Sequence, residues 1–186
     1  MRLPLIRLPR HPCADAGKET LHFPVAAPAR LAVIDADFYR SANMRSFVAH
    51  DIRGLAGYAP EALALPLSLA LSLADQKLRG LLELPSLKCA IVVFSSHEAG
   101  GPLAAHHRDL LWKAFGLPVF EQLRGWDGRV FARECEVHDG LHFDPILIPT
   151  FEDVVEVNRS VCECGNETPR LQRLLVPETR AAAAAA

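Results

Sequence analysis

Apolar residues along the first half of the chain follow two kinds of spacing. Residues 31–34 form a short apolar run that predicts a strand, and residues 87–94 form a longer β-branched run typical of a strand buried on both faces. Between them, residues 45–55 have the spacing of a short helix. The Leu-rich segment 63–84 begins with alternating leucines, and its later leucines favour a helix after Pro66.

The next stretch predicts a strand, a helix and a second strand. Residues 103–115 carry apolar side chains at amphipathic helical spacing, and Gly116 stands where a helix C-cap belongs. Residues 117–123 return as a strand, which predicts a βαβ unit with parallel strands and a right-handed crossover. Further short strands are predicted at residues 129–133, 145–148 and 154–157.

Length and composition set the expected domain organisation. A chain of 186 residues that is 50% apolar is long enough for one domain with a substantial core. The proline-rich residues 1–30 predict an extended N-terminal arm, and residues 31–176 predict a single α/β domain. Residues 177–186, which end in six alanines, are a low-complexity tail to which no function is assigned.

Charge and hydropathy argue against two classes of partner. The formal charge is -2 and no long basic run occurs, so a nucleic-acid partner is not expected. The most apolar window contains Pro66 and is too short to cross a bilayer, and no signal peptide is recognisable, so no membrane association is expected. The Leu-rich segment 63–84 is predicted to be core, with a homo-oligomer or protein-partner face as the alternative.

The cysteines and two nearby histidines predict a metal site. The five cysteines are odd in number and unevenly spaced, which favours a reducing, cytoplasmic compartment over a disulfide framework. Thiolates and imidazoles are the ligands that tetrahedral Zn²⁺ prefers. We therefore predict a structural zinc in the loop region 134–166, held by three cysteines and one histidine, with three independent buried thiols as the alternative. The candidate ligands are Cys135, His138, His142, Cys162 and Cys164.

Spacing also suggests which histidine is the fourth ligand. His138 is favoured over His142 because a Cys-x-x-His turn brings the two side chains together, and His142 is then a core or hydrogen-bonding histidine. A set of four protein ligands leaves no open position for water, so the predicted metal is structural. The chain has no Gly-x-Ser-x-Gly, lysine-bearing phosphate loop or Gly-x-Gly-x-x-Gly motif, and neither catalytic nor cofactor-binding residues are predicted.

Residues 87–170 resemble part of a known enzyme family. The stretch LKCAIVVFSSHEAGGPLAAHHRDLLWKAFGLPVFEQLRGWDG is similar to the strand, turn, helix and strand of AMP-forming acyl-CoA ligases. The later segments ECEVHDGLHF and CECG resemble the phenylacetate-CoA ligase branch, whose zinc-containing members use a loop of this kind together with a Cys-x-Cys-Gly segment. The resemblance implies zinc ligation by Cys135, one of His138 and His142, Cys162 and Cys164, on an α/β fold with a partial adenylating-enzyme-like βαβ core followed by a small β-rich, zinc-stapled region.

The chain departs from this family where catalysis takes place. The family's Tyr-Gly-x-Thr/Ser-Glu motif is replaced by Arg124-Gly125-Trp126-Asp127-Gly128, and the phosphate loop is missing. The tail is also expected to leave no room for a lid domain that carries a catalytic lysine. We therefore expect a non-catalytic domain that acts in binding or assembly. The alternative is an acyl-CoA ligase-like enzyme or one piece of a split ligase, with Glu98, Asp127 and Arg129 lining the remaining cleft.

Overall fold

The structure is a computed structural model that describes residues 21–36, 38, 41–95, 103–124, 129–144 and 155–174. The described residues contain three helices and nine strands in the following order: β1 (Leu31–Ile34), β2 (Met44–Phe47), α1 (Ile52–Tyr58), β3 (Ala62–Pro66), α2 (Leu67–Leu78), β4 (Ile91–Ser95), α3 (Ala105–Phe115), β5 (Val119–Arg124), β6 (Val130–Glu134), β7 (Leu141–Phe143), β8 (Val155–Asn158) and β9 (Arg170–Leu174).

The nine described strands form one mixed sheet in the order β2-β1-β3-β4-β5-β6-β7-β9-β8. The five strands from β2 to β5 are parallel to one another, and each pairing from β5 to β8 is antiparallel. The predicted βαβ unit is confirmed, since β4 and β5 are parallel and are connected through α3. Gly116 ends α3 in the left-handed conformation at φ 65°, where a side chain would be strained.

The two faces of the parallel half are covered differently. Helices α2 and α3 pack over one face, where Leu65, Val93 and Leu111 belong to a large apolar cluster. On the other face, Val92 and Phe94 pack with Phe38 and with the segment that contains Leu21. Strands β3 and β4 are therefore buried on both faces, as the continuous apolar sequence of β4 predicts.

Two helix predictions have different outcomes. The helix after Pro66 is confirmed as α2, and the preceding leucines lie in β3. The helix predicted over residues 45–55 is wrong in its first half, because β2 pairs with β1 there and α1 begins only at Ile52. The apolar positions of β2 and α1 fit a helical spacing by coincidence. The Asp51 carboxylate accepts a hydrogen bond from the Gly54 N–H at 2.9 Å and so caps the N-terminus of α1.

Several strand predictions shift at their ends. The strand predicted over 87–94 begins only at Ile91, because the N–H groups of Lys88 and Cys89 both turn to the carbonyl of Glu61. The strands predicted at 129–133 and 154–157 correspond to β6 and β8. The strand predicted at 145–148 lies outside the described residues. In the part of the chain that the structure describes, no helix has the length and apolar character needed to cross a bilayer.

The register of the antiparallel half aligns four polar residues across the sheet. Gln122 of β5 is opposite Arg133 of β6, which is opposite His142 of β7, which is opposite Arg170 of β9. Directly opposite residues on antiparallel strands point to the same face. Gln122 also aligns with Phe94 of β4, so this polar row lies on the face away from α2 and α3.

Candidate metal centre

Three neighbouring strands bring the candidate ligands together from separate parts of the chain. Cys135 follows the last residue of β6, His142 lies in β7, and Cys162 and Cys164 lie in the connection between β8 and β9. Because β6, β7 and β9 are neighbours in the sheet, residues separated by more than twenty positions meet at one point. One ligand atom from each of these four residues lies within 4.8 Å of all the others.

The distances within this cluster fit a tetrahedral metal site. The Sγ atoms of Cys135 and Cys162 are 3.8 Å apart, and Cys164 Sγ is 3.5 Å from His142 Nε2. Zn²⁺ bonded to sulfur at about 2.3 Å and to nitrogen at about 2.0 Å would place two sulfurs about 3.8 Å apart and a sulfur and a nitrogen about 3.5 Å apart. The donor set and its spacing are therefore compatible with a zinc ion.

The His142 ring is oriented by the connection before β9. Its Nδ1 lies 3.0 Å from Thr168 Oγ1 and 3.3 Å from the Thr168 carbonyl oxygen, while Nε2 faces the sulfurs. Thr168 is positioned in turn by Asn166, whose Oδ1 accepts from both the N–H and the hydroxyl of Thr168 at 2.9 Å. An Nδ1–H held by an oxygen leaves the Nε2 lone pair for a metal, as in many zinc sites.

The Cys-x-Cys-Gly segment forms a tight turn. The Gly165 N–H donates to the Cys162 carbonyl at 2.8 Å, and the Cys162 N–H donates to the Asn166 carbonyl at 3.1 Å. Gly165 has a φ of 82°, a left-handed conformation that other residues adopt only with strain. The turn thus places both thiols on the side that faces Cys135 and His142.

The pKa values of Cys135 and Cys162 are shifted in opposite directions. Burial raises the pKa of Cys135 to about 12, and hydrogen bonds with the Cys164 and Cys162 thiols act in the same direction. For Cys162, burial opposes ionisation, but hydrogen bonds from the backbone and side chain of Cys164 outweigh it, so its pKa is lowered. Of these two thiols, Cys162 ionises more readily, and a bound cation would be needed to hold both as thiolates.

The electrostatic surroundings of His142 favour a neutral ring. Burial lowers its pKa, and the nearby positive charges of Arg170 and Arg133 act in the same direction, while the hydrogen bond with Thr168 opposes them. A metal-ligating imidazole must be unprotonated at the atom that binds the metal. The state that burial favours is therefore the state that ligation requires.

His138 is not brought to the cluster, contrary to the preference that spacing suggested. Its Nδ1 lies 3.1 Å from Glu134 Oε1, and its ring stacks on Phe120 with centroids 4.7 Å apart. The residue has a φ of 57°, so the chain turns in the left-handed sense after Cys135 and directs the imidazole toward β5. His142 therefore replaces His138 in the ligand set proposed below.

A buried polar network holds the strand that leads into Cys135. Arg108 Nη2 of α3 donates to both carboxylate oxygens of Glu134, at 2.8 and 2.9 Å, and Arg108 Nη1 donates to the Val119 carbonyl at 2.7 Å. Glu134 Oε2 also accepts from the Glu121 N–H at 2.8 Å. The end of β6, and with it the position of Cys135, is thus tied to both α3 and β5.

Sequence reasoning missed the residues that support the cluster. Asn166 and Thr168 carry a local signal, since an Asn two positions before a Thr can accept hydrogen bonds from it. Arg108 and Glu134 carry no such signal because they are 26 positions apart. Of the residues expected to line a ligase-like cleft, Glu98 and Asp127 lie outside the described residues, and Arg129 lies immediately before β6.

Comparison with known proteins supports the fold. No protein-family model and no curated protein sequence matches the chain. Among solved structures, the chain resembles 2-hydroxyisobutyryl-CoA ligase in an open conformation in complex with 2-HIB-AMP and CoA, with a TM-score of 0.56 and 17% identity, covering 78% of this chain and 44% of that one. The same ligase in the postadenylation state in complex with R3-HIB-AMP gives a TM-score of 0.56, 16% identity and coverage of 78% and 43%. The chain thus spans less than half the length of these ligases, and its α/β fold resembles part of theirs.

Proposed function

We propose that this chain is a CoA ligase-like domain in which Cys135, His142, Cys162 and Cys164 hold a structural Zn²⁺, and that it acts in binding or assembly and not in ligation. The observation that carries the proposal is the approach of three sulfurs and one imidazole nitrogen to within 4.8 Å of one another. The resemblance to the zinc-containing phenylacetate-CoA ligase branch supports the same metal.

Zinc would act here as a staple for the antiparallel half of the sheet. The four ligands lie in the β6–β7 loop, in β7 and in the β8–β9 connection. Without a metal, these segments are joined by the short ladders that the three-residue strand β7 forms with β6 and β9. When bound, Zn²⁺ supplies coordination bonds that cross-link these segments, and four protein ligands leave it no open position for a substrate. The proposed metal therefore contributes to folding and not to a chemical step.

The sequence at the end of β5 supports a role without ligation. Adenylation depends on groups that hold the nucleotide and stabilise charge on the transferred phosphoryl group. Where the ligase family has a hydroxyl and a carboxylate, this chain has Asp127 and Gly128.

Metal analysis of the purified full chain tests the proposed centre. We expect about one equivalent of zinc, because structural zinc sites of this kind bind tightly at neutral pH. Cys162→Ser and His142→Ala should each lower zinc content and Tm. Cys89→Ser and His138→Ala are the matched controls, since neither side chain belongs to the four-residue cluster, and both should retain the metal. A purified chain that contains no zinc, together with a Tm that neither Cys162→Ser nor His142→Ala lowers, would contradict the proposal.

The second candidate function is an acyl-CoA ligase-like enzyme or one piece of a split ligase. It is favoured by the fold, since the similar structures are a ligase in complex with an acyl adenylate. Isothermal titration of the full chain with ATP, CoA and an acyl-CoA separates the two proposals. The non-catalytic proposal predicts no binding at millimolar concentrations, whereas a dissociation constant in the micromolar range for ATP would favour the enzyme.

A partner face on the Leu-rich segment 63–84 is the remaining proposal. Most of the segment is core: Leu65 and Leu73 have no exposed surface, so substituting them would unfold the protein and not test an interface. Leu78 and Leu81 are 43% and 67% exposed and could contact a second copy or another protein. Sedimentation of the full chain should show a dimer that Leu78→Glu with Leu81→Glu dissociates. A monomer at all concentrations would exclude the homo-oligomer.

A further inference from the structure

Cys135 and Cys162 are a pair of thiols that the fold brings together from two separate segments. Cys135 directly follows β6, and Cys162 lies in the connection between β8 and β9. Their Sγ atoms are 3.8 Å apart, although the residues are 27 positions apart in the chain. A disulfide joins its sulfurs at about 2.05 Å, so the two atoms would need to approach each other by only about 1.8 Å to form one.

The other described thiols are less suited to a disulfide. Cys164 directs its Sγ toward His142 Nε2, at 3.5 Å. A disulfide between Cys164 and Cys162 would also have to close within a turn whose shape is fixed by the hydrogen bond from the Gly165 N–H to the Cys162 carbonyl, at 2.8 Å. Cys89 packs in the apolar cluster of the parallel half and does not belong to the metal cluster. The described thiols therefore contain one pair that is well placed for a disulfide.

The two sulfurs of this pair differ in their access to solvent. Cys135 is partly exposed and is followed by the exposed Glu136, whereas Cys162 is 2% exposed. A small uncharged oxidant such as hydrogen peroxide therefore reaches Cys135 first. Cys162 lies behind it, in position to react with an oxidised Cys135 sulfur.

We propose that Cys135 and Cys162 form an oxidation site for peroxides, at which a disulfide between them displaces two of the four metal ligands and releases the zinc. The inference rests on the proposed metal function and assigns a form of regulation to the same site. Disulfides in a reducing compartment are usually transient and often act in redox sensing, which suits the compartment expected from the cysteine pattern.

The oxidation proceeds in two steps. In the zinc-bound protein both sulfurs are thiolates. The Cys135 thiolate attacks one oxygen of the peroxide, the O–O bond breaks, and hydroxide leaves while Cys135 becomes a sulfenic acid. The Cys162 thiolate then attacks the Cys135 sulfur, the S–O bond breaks, and a second hydroxide leaves as the disulfide forms. Each sulfur loses one electron, and the two oxygens of the peroxide gain both.

The disulfide changes the metal centre and keeps part of its cross-link. Only Cys164 and His142 remain as ligands, and two ligands are too few for a structural zinc site. The new covalent bond still joins the β6–β7 loop to the β8–β9 connection, while the link to β7 through His142 is lost. Oxidation thus releases the metal without freeing both segments.

The test treats the zinc-loaded full chain with hydrogen peroxide. A chromogenic chelator measures the released zinc, and mass spectrometry of peptides digested without reduction identifies the linked cysteines. We expect zinc content to fall at least tenfold, a peptide that joins Cys135 to Cys162 to appear, and both changes to be reversed by dithiothreitol and added zinc. Retention of zinc without a linked peptide, a disulfide between any other pair, or sulfinic acid at Cys135 as the main product would overturn the proposal.

The matched control is Cys89→Ser, which should release its zinc and form the same linked peptide, because Cys89 lies outside the metal cluster. The unsubstituted chain identifies the linked pair directly, so the result does not depend on whether a variant of a ligand cysteine folds. Failure of the metal proposal appears before peroxide is added, as an absence of zinc from the purified chain. Failure of the oxidation proposal appears only afterwards, in a chain that did contain zinc.

Discussion

Among single residues, Glu121 stands out as a carboxyl group that is 5% exposed. It accepts hydrogen bonds from the Ser95 hydroxyl and from the Leu103 N–H, and thereby joins the end of β4 to the residues before α3. Burial raises its pKa above the usual range, although these two hydrogen bonds act in the opposite direction. The Glu121 carboxyl is therefore harder to ionise in the folded protein than in the unfolded chain.

Substituting Glu121→Gln should stabilise the protein at neutral pH. A raised folded-state pKa means that the stabilising contribution of Glu121 is complete below its unfolded pKa of about 4.5 and is lost as the pH rises through the folded-state value. Glutamine imitates the protonated form at every pH. We expect a Tm gain of about 2–4 °C at pH 7, for roughly 1 kcal/mol, which shrinks as the pH falls toward 4.5.

The pH dependence of Tm from pH 4.5 to 8 is the measurement for Glu121. Glu83→Gln, at an exposed position, is the matched control and should leave the profile unchanged. A Glu121→Gln variant that loses stability equally at every pH would contradict the argument, because it would mean that the loss of hydrogen-bond geometry outweighs the relief of the buried charge.

At the scale of elements, helix α3 is held to the sheet by charge as well as by apolar packing. Arg108 leaves α3 to bind Glu134, whose side chain is 3% exposed, and the two residues form both an ion pair and two hydrogen bonds. A buried carboxylate that loses its partner keeps the cost of desolvation without the compensating attraction. The pair therefore couples α3 to strand β6, which ends just before Cys135.

Arg108→Met should destabilise the protein by about 3 kcal/mol, because it leaves the Glu134 carboxylate buried without its cation. The control is Arg79→Met, which breaks an ion pair with Asp75 in which both side chains are about 60% exposed and should cost less than about 1 kcal/mol. Urea unfolding gives both values. Equal losses in the two variants would show that Glu134 is not effectively desolvated.

For the whole molecule, the sheet divides into a parallel half with a large core and an antiparallel half with a small one. The cluster around β3, β4, α2 and α3 contains nineteen buried residues, and the cluster around Leu141 and Phe143 contains five. A five-residue cluster offers little hydrophobic stabilisation to the strands it joins. The proposed metal lies in the half that needs a cross-link most.

Removing the metal should loosen the antiparallel half before the parallel half. After treatment with a chelator, we expect amide hydrogen exchange in β7 and β9 to rise by roughly tenfold or more, while β3 and β4 keep their protection. Mass spectrometry of exchanged peptides, with the zinc-loaded protein as reference, measures the difference. A uniform rise across both halves would contradict a local staple.

The sequence by itself predicted the elements whose signals are local. A continuous β-branched run, an amphipathic helix and Gly116 at its end are sufficient for the β4–α3–β5 unit, and Pro66 marks the start of α2. It also predicted the residue types of the candidate metal centre, since three of the five cysteines and two of the eight histidines lie between residues 135 and 164. Local chemistry and the geometry of neighbouring residues determine these features.

Only the tertiary structure decided which residues meet. Spacing favoured His138, but the pairing of β6, β7 and β9 brings His142 to the sulfurs, because a contact between strands depends on register and not on sequence separation. For the same reason the sequence did not predict β2. Its apolar positions also fit a helical spacing, and only its pairing with β1 makes it a strand. The sequence likewise did not predict the alignment of Gln122 with Arg133. Long-range pairing selects among local patterns that are nearly equal in free energy, and a linear sequence does not display that selection.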